Sequence, residues 1–174
     1  GLPLSAALAT APASLVLDVA AGTGRLARTL LRQSGFAGRV VALDMSQPML
    51  LQIDRHIPLR SERVDLLLSP ADLLPFARTT FEVVACLEAL EFTPDPSLVL
   101  RECVRVLRPG GRLVVSNRVG PQARLLVGKT VPRRAFKRFL QGIGLHLLRA
   151  EAWQIDYDLV WCTKPTSTEV DKWT

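Results

Sequence analysis

The chain has 174 residues, of which 48% are hydrophobic and 22% are charged, and its formal net charge is +6. This size and composition are typical of one globular domain with a substantial core. No run of about 18 apolar residues occurs, so the sequence predicts no transmembrane helix. Cys86, Cys103 and Cys162 lack CxxC or Cys/His spacing, so we expect reduced thiols, no metal site and a cytoplasmic protein.

We interpret residues 1–174 as a single domain. Residues 1–13 are expected to be the remnant of an N-terminal helix, because Pro3 and the lack of a basic region argue against a secretion signal. Residues 119–144 are predicted to form a connection and a basic helix. Residues 164–174 are polar and are expected to be a frayed tail.

Short apolar runs bounded by turn residues recur along the chain and predict buried strands. Such runs lie at 14–20, 39–44, 64–68, 81–87 and 112–116. A sixth strand is predicted over 145–150. Beyond it, alternate residues from Trp153 to Trp161 are apolar, a period of two that predicts one half-exposed strand at the sheet edge.

Helical patterns lie between these runs. The sequence predicts helices over 25–33 and 132–141, and further helices that begin at Ser46 and at Asp95. Serine and aspartate are good helix N-caps, and a proline follows each of these two within the first turn. The alternation of strands and helices predicts a doubly wound α/β domain with a mostly parallel sheet.

The stretch VLDVAAGTGRLA, residues 16–27, carries the strongest functional signal. Gly22 and Gly24 lead from a strand into a helix, a turn at which a ligand can approach the backbone and the helix N-terminus. GTGRLA fits the loose dinucleotide pattern G-x-G-x-x-[GA], which alone is a weak signal. Asp18 would repel a pyrophosphate in the same turn. It therefore favours a nucleoside ligand with an ammonium group or hydroxyls, although it could also only hydrogen-bond its own turn.

Four blocks in chain order resemble class I S-adenosylmethionine-dependent methyltransferases of the type-11 small-molecule group: VLDVAAGTG, VVALDMS, SPADLLPFARTTFEVVAC and LVLRECVRVLRPGGRLVVSN. The resemblance implies a Rossmann-like, mostly parallel seven-stranded sheet with an antiparallel C-terminal strand. It also implies methyl transfer from S-adenosyl-L-methionine to a small-molecule acceptor, with S-adenosyl-L-homocysteine as the product.

The resemblance assigns cofactor-binding residues by position. The glycine turn would line the methionine part of the donor, with Asp18 near its amino group. Asp44 would bind the ribose hydroxyls, Met45 would pack on the adenine, and Asp72 would bind the adenine amino group. The full predicted set is Asp18, Ala20, Ala21, Gly22, Thr23, Gly24, Asp44, Met45, Ala71, Asp72, Leu73 and Leu87.

Ala20 stands where the family pattern has its first glycine. We expect residue 20 to have an ordinary strand conformation and to need only a small side chain. Because the sulfonium donor is already activated, transfer is expected to work mainly by positioning and exclusion of water. Glu88 and Glu91 are the candidates for a base or for pairing with a cationic acceptor. Alternatively, each is a rim acid bound to a neighbouring arginine.

Residues 101–149 hold 12 basic residues and one acid. Within this block Arg133, Arg134, Lys137 and Arg138 are predicted to form one stripe, on the helix face opposite Phe136. The stripe could contact an anionic or lipid-like acceptor, a membrane surface or nucleic acid, or it could be a solvated helix face. Nucleic acid ranks lowest, because no aromatic residues interleave with the basic ones.

Two alternatives to a methyltransferase stay open from the sequence. One is a donor-binding module without catalysis that contacts a partner through its basic face. The other is an NAD(P)-dependent oxidoreductase, against which Asp18 and the LRPGG block argue. The sequence predicts no particular oligomeric state.

Overall fold

The computed structural model describes residues 14–57, 62–120 and 130–166. The expectations for residues 1–13, for 121–129 and for 167–174 lie outside the described residues. The strands are β1 Leu15–Val19, β2 Arg39–Asp44, β3 Val64–Leu68, β4 Phe81–Cys86, β5 Leu107–Arg118, β6 His146–Trp153 and β7 Tyr157–Thr163. The helices are α1 Arg25–Leu31, α2 Gln47–His56, α3 Pro96–Val106 and α4 Arg133–Gly142, with a 3₁₀ helix at Leu90–Phe92. None of these described helices is long and apolar enough to cross a bilayer.

The strands form one seven-stranded sheet in the order β3-β2-β1-β4-β5-β7-β6. Strands β1 to β5 pair in parallel, whereas β7 is antiparallel to β5 and to β6. The strand order reverses between β1 and β4, which is the switch point at which ligands of such sheets bind. The predicted doubly wound, mostly parallel seven-stranded fold is confirmed.

Helices cover both faces of the sheet. Since successive residues of a strand point to opposite sides, each central strand contributes side chains to both cores. On β1, Leu17 and Val19 pack into the core that α3 and α4 cover. Val16 packs into the opposite core, under α1 and α2. Burial on both faces explains why the central strands are nearly continuous apolar runs in the sequence.

The prediction of a single half-exposed edge strand from Trp153 to Trp161 is wrong. Trp153 ends β6 and Tyr157 begins β7, and these two residues pair across a hairpin. The turn between them holds Gln154, with a φ of 56°, and Ile155, which is 93% exposed. The turn keeps the apolar residues of both strands in phase, so the period of two continues across it. β7 lies buried between β5 and β6, and β6 is the edge strand.

The fifth strand begins earlier than the sequence predicts. Leu107 pairs with Phe81, and Arg112 pairs with Val83, so residues 108–111 form a bulge within β5. Gly110, inside this bulge, has a φ of 75°. Pro109, Gly110 and Gly111, which precede the predicted run at 112–116, are therefore part of the strand.

The glycine turn joins β1 to α1 at the switch point. Gly22 and Gly24 have φ values of 55° and 74°, a left-handed backbone that favours glycine. A Cβ at Gly24 would lie 2.8 Å from Ile53 Cγ1 of α2. Close packing of α2 against the turn therefore also requires glycine at position 24.

The expectation of an ordinary strand conformation at Ala20 is wrong, because its φ is 55°. A left-handed backbone costs an L-residue about 1–2 kcal/mol, since Cβ approaches the following carbonyl oxygen. The adjacent Ala21 N–H donates to Leu43 O at 2.9 Å, a tertiary contact that helps to hold the turn in this conformation. Position 20 therefore has a left-handed backbone, which explains why the family pattern has glycine there.

We predict that Ala20→Gly raises the free energy of unfolding by about 1 kcal/mol, because glycine adopts positive φ without the Cβ penalty. Urea unfolding followed by circular dichroism measures this difference. Ala21→Gly is the matched control: residue 21 has no positive φ, so glycine there should lower stability through chain entropy. An Ala20→Gly variant less stable than the wild type would contradict the strain assigned to this position.

Candidate functional site

A cavity of about 400 Å³ opens beside the ends of β1, β2, β3 and β4, and it is called the donor cavity because residues predicted to bind the donor line it. Of the predicted set, the residues that line it are Ala20, Gly22, Asp44, Met45, Ala71 and Asp72. The members of the set that are not among its lining residues are Asp18, Ala21, Thr23, Gly24, Leu73 and Leu87. The tertiary structure thus brings together segments that follow four different strands, at the edge where such sheets bind ligands.

Sequence reasoning missed several lining residues, including Met49, Phe92 and Val99. Met49 could have been found, because it lies in the first turn of α2, which begins two residues after Met45 at the same edge of the sheet. No local signal marks Phe92 or Val99, since their position depends on how the segment after β4 returns over the sheet. Met45 and Phe92 are 78% and 71% exposed, so apolar side chains surround the mouth of the cavity.

Asp44, at the end of β2, holds the glycine turn. Its Oδ2 accepts a hydrogen bond from Gly22 N–H at 2.8 Å, and its Oδ1 accepts one from Ser46 N–H at 2.8 Å. The side chain is buried, and the backbone fixes both of its oxygens. Because each carboxylate oxygen has a further lone pair, the group can also accept hydrogen bonds from a diol in the cavity.

Asp18 is a buried carboxyl near the middle of the sheet. Its exposed fraction is 3%, and its Oδ2 has no hydrogen-bond partner among the described residues. Burial raises the pKa of this carboxyl from 3.8 to about 7, with an opposing effect from Arg25 and a smaller raising effect from Asp44. An unpartnered buried carboxyl costs stability, and an ammonium group beside it would remove that cost. Asp18 therefore favours a ligand whose cationic end reaches past the lining residue Ala20 to this carboxyl.

Glu88 lines the donor cavity after β4, and its φ is 53°. Its carboxylate pairs with Arg25 of α1, and Gln154 Nε2 donates to its Oε1 at 3.0 Å. Arg25 also lies over the ring of Trp153, with 5.1 Å between the guanidinium carbon and the ring centroid. Glu88 thus has the contacts of a rim acid bound to a neighbouring arginine, and its use as a base stays a prediction.

Glu91 does not line the donor cavity. It lines a second cavity of about 320 Å³, between the 3₁₀ helix, α3 and α4. Glu91 is 2% exposed, and its Oε1 accepts a hydrogen bond from the Tyr157 hydroxyl and lies 3.6 Å from Arg118 Nη1. The pKa of Tyr157 is raised by burial and by this carboxylate. The two candidate acids therefore belong to different cavities.

The four residues of the predicted basic stripe lie on α4, whose buried side chains are Phe136 and Leu140. Arg133 is held by Asp158 of β7 through two hydrogen bonds of 2.6 and 2.9 Å, so it fastens the helix to the sheet. Arg134 and Arg138 are exposed and Lys137 is half-buried. None of these four basic residues lines the second cavity, to which α4 presents its apolar face.

The cysteines are buried and form no disulfide. Burial raises the pKa of Cys103 and of Cys162 to about 12 and that of Cys86 well above its usual value. Thiols of this kind stay protonated and unreactive. In the described part of the chain no group of histidine, cysteine and acidic side chains could hold a metal ion.

We predict that Asp18→Asn stabilises the free protein at pH 8, by a few kcal/mol, and weakens donor binding about tenfold or more. The pKa is raised from 3.8 to about 7 on folding. Between about pH 4 and 7 the unfolded chain therefore loses a proton that the folded chain keeps, and wild-type stability falls as pH rises. Asparagine does not titrate, so this decline should be smaller in the variant.

Urea unfolding of both proteins at pH 5 and pH 8, with calorimetric titration of S-adenosylmethionine, measures the two effects. Asp54→Asn, at an exposed position of α2, is the matched control and should change neither the pH dependence nor the affinity. Equal pH dependence in the wild type and Asp18→Asn would reject the assignment.

Comparison with known proteins agrees with this geometry. A family model described as "Methyltransferase domain" matches residues 17–115. The ubiquinone biosynthesis O-methyltransferase of Xylella fastidiosa is 40% identical over 103 residues, which are 58% of this chain and 40% of that protein. The ubiquinone/menaquinone biosynthesis C-methyltransferase of Hahella chejuensis is 39% identical over 103 residues, 58% of this chain and 41% of that protein. The chain thus spans about two fifths of the length of these curated relatives.

Solved structures share the fold at low sequence identity. A putative methyltransferase from Bacillus halodurans superposes with a TM-score of 0.78 at 19% identity, covering 95% of this chain and 100% of that one. An S-adenosylmethionine-dependent methyltransferase from Aquifex aeolicus has a TM-score of 0.72 at 20% identity, covering 87% and 82%. The family match includes the glycine turn and Asp44, the last residue of β2. It decides against the interpretation of the chain as an oxidoreductase. The chain therefore belongs to the methyltransferase-domain family, with the class I S-adenosylmethionine-dependent fold.

Proposed function

We propose that this chain transfers the methyl group of S-adenosylmethionine to a small, largely apolar acceptor. One observation carries the proposal: Asp44, a carboxylate held by two backbone N–H groups, lines the donor cavity, and Asp18, an unpartnered buried carboxyl that does not itself line the cavity, lies two residues before the lining residue Ala20. Asp44 suits a ribose diol and Asp18 suits an ammonium group. Because the chain spans about two fifths of its curated relatives, the activity itself is part of this proposal.

S-adenosylmethionine, when bound, supplies an electrophilic methyl group on a sulfonium centre. The chain's own residues then have to hold the donor at its ends. Asp18 would bind the ammonium group, Asp44 the ribose, and Asp72 the adenine, with Met45 packed against the ring. Asp44 is already oriented by the turn and by α2, so little ordering is needed when the donor binds. The reacting centre is expected beside the end of β4.

The second cavity is the proposed place for the apolar body of the acceptor. Leu100, Phe136 and Phe139 contribute to its apolar wall, and Glu91 and Arg118 provide a polar end. These are the features of small-molecule sites in general, which are mostly apolar with a few directed polar groups.

The 3₁₀ helix is the partition between the two cavities. Its neighbour Ala89 and its last residue Phe92 line the donor cavity, whereas Leu90 and Glu91 line the second one. An acceptor held in the second cavity would therefore need to extend only past this single turn to meet the donor. Positioning of this kind is the main requirement for attack on an activated methyl group.

An apolar acceptor is favoured over an anionic one, because the basic stripe does not line the second cavity and Arg118, which does line it, lies 3.6 Å from the Glu91 carboxylate. Arg133 is also already paired with Asp158. The names of the curated relatives, which include an O-methyltransferase and a C-methyltransferase of ubiquinone biosynthesis, support a small-molecule acceptor. A general base is needed only if the acceptor atom is protonated at the working pH. Glu88, which lines the donor cavity, and Glu91, which lines the second cavity, are the acids to test for this role.

We predict that the purified chain, incubated with methyl-labelled donor and lipid or metabolite extract, labels a product that partitions into organic solvent. Ala135→Phe should abolish the labelling, because residue 135 lines the second cavity and the larger ring fills it. Its affinity for the donor should be unchanged. Gln141→Phe, at an exposed position of the same helix, is the matched control and should label normally.

Two results would count against this proposal. Full activity of Ala135→Phe would show that the acceptor does not bind in the second cavity. Tight donor binding by the wild type, with no labelled product from any extract, would favour the donor-binding module without catalysis.

The basic face is proposed separately to contact an anionic ligand or membrane surface, through Arg134, Lys137 and Arg138. The expected result is stronger sedimentation with anionic than with zwitterionic vesicles at low salt, because each basic residue near such a surface contributes about 1 kcal/mol. Equal sedimentation with both kinds of vesicle would indicate a solvated helix face.

A further inference from the structure

The two edges of the sheet differ in character. At one edge β6, HLLRAEAW, carries His146, Arg149 and Glu151, and the last two form an ion pair. Charged side chains on an edge strand discourage pairing with another chain. At the other edge lies β3, VDLLL, whose single charged residue is Asp65.

The side chains of β3 leave apolar surface in solvent. Leu66 and Leu68 are 38% and 56% exposed. Its acidic residue, Asp65, is paired with Arg39 of the neighbouring strand β2 at 3.0 Å. Leu51 of α2, the helix next to β2 and β3, is a further 49% exposed. The apolar surface therefore runs from the strand onto the adjacent helix.

The backbone of β3 also offers unused hydrogen-bonding groups. Val40 N–H donates to Arg63 O at 2.8 Å, and Ser69 N–H donates to Asp44 O at 3.0 Å. Alternate residues of a strand bond to the same neighbour, so residues 63, 65, 67 and 69 face β2. The N–H and C=O groups of residues 64, 66 and 68 point away from the sheet, where no other described strand lies.

We propose that β3 pairs antiparallel with β3 of a second copy of this chain, with Leu66 on the two-fold axis. This register places Leu66 opposite Leu66 of the second copy, and Val64 opposite Leu68. Each of these facing pairs uses outward-pointing backbone groups and exchanges both N–H···O=C bonds. The contact is isologous and therefore closed, which limits assembly to a dimer.

Self-complementarity of VDLLL favours a second copy as the occupant. In the proposed register Asp65 lies opposite Leu67 of the second copy, so no like charges face each other directly. Each Asp65 also keeps its own Arg39 as counter-charge. The dimer joins two seven-stranded sheets into one continuous sheet and brings the exposed Leu51 side chains of both copies to the same side.

Pairing at β3 would also reach the donor cavity. The segment 69–72 follows β3 directly and lines that cavity. Pairing is therefore expected to restrain this segment and so to strengthen donor binding. This consequence rests on the proposed function, whereas the pairing itself does not.

Sedimentation equilibrium of the full chain over a wide concentration range tests the pairing, and the expected species at high concentration has twice the mass of the 19.1 kDa protomer. Leu66→Lys places two ammonium groups opposite each other on the axis, so it should weaken dimerisation at least tenfold. Leu148→Lys, at a 56% exposed position of the β6 edge, is the matched control and should leave the dimer intact.

A charge-swap experiment separates loss of pairing from loss of folding. Leu66→Lys and Leu66→Glu should each be monomeric with the circular dichroism spectrum of the wild type, and an equimolar mixture should regain the dimer. A wild type that is monomeric at every concentration would overturn the proposal and leave the edge for a strand of another protein. A Leu66→Lys variant that dimerises like the wild type would also overturn it, as would a mixture that stays monomeric. None of these readouts depends on methyl transfer.

Discussion

The two hydrogen bonds that Asp44 accepts are the contacts on which the shape of the donor cavity depends. One comes from Gly22 in the turn after β1, and the other from Ser46 at the start of α2. Strand β2 thereby sets the position of the turn that leaves its neighbour. Three residues of this turn, at 20, 22 and 24, have a left-handed backbone, a conformation that persists only where the surroundings hold it.

The site concentrates features that are unfavourable for stability. Ala20 has a backbone conformation that suits glycine, and Asp18 is a buried carboxyl whose pKa is raised to about 7 by desolvation. Unfavourable groups of this kind cluster at functional sites, because a ligand relieves them on binding. The well-packed core on both faces of the sheet supplies the stability that allows the fold to tolerate them.

The C-terminal hairpin connects the two cavities. Gln154, in its turn, donates a hydrogen bond to Glu88 in the donor cavity. Tyr157, at the start of β7, donates one to Glu91 in the second cavity. Both contacts join residues that are 66 positions apart. A strand pair at one side of the sheet therefore helps to position the acids at the ends of both cavities, which a local reading of either segment does not reveal.

The sequence by itself determined the order and type of most elements and the position of the glycine turn, and it marked the acids Asp18, Asp44 and Asp72 near the carboxyl ends of β1, β2 and β3. These depend on apolar periodicity, capping residues and short motifs, which are local properties of the chain. Tertiary structure alone decided the positive φ at Ala20, the hairpin turn within the Trp153–Trp161 alternation, and the separation of Glu88 from Glu91 into two cavities. The reason is that backbone strain, strand neighbours and burial depend on contacts between distant segments, and alternating apolar residues look the same on one strand as on two strands joined in phase.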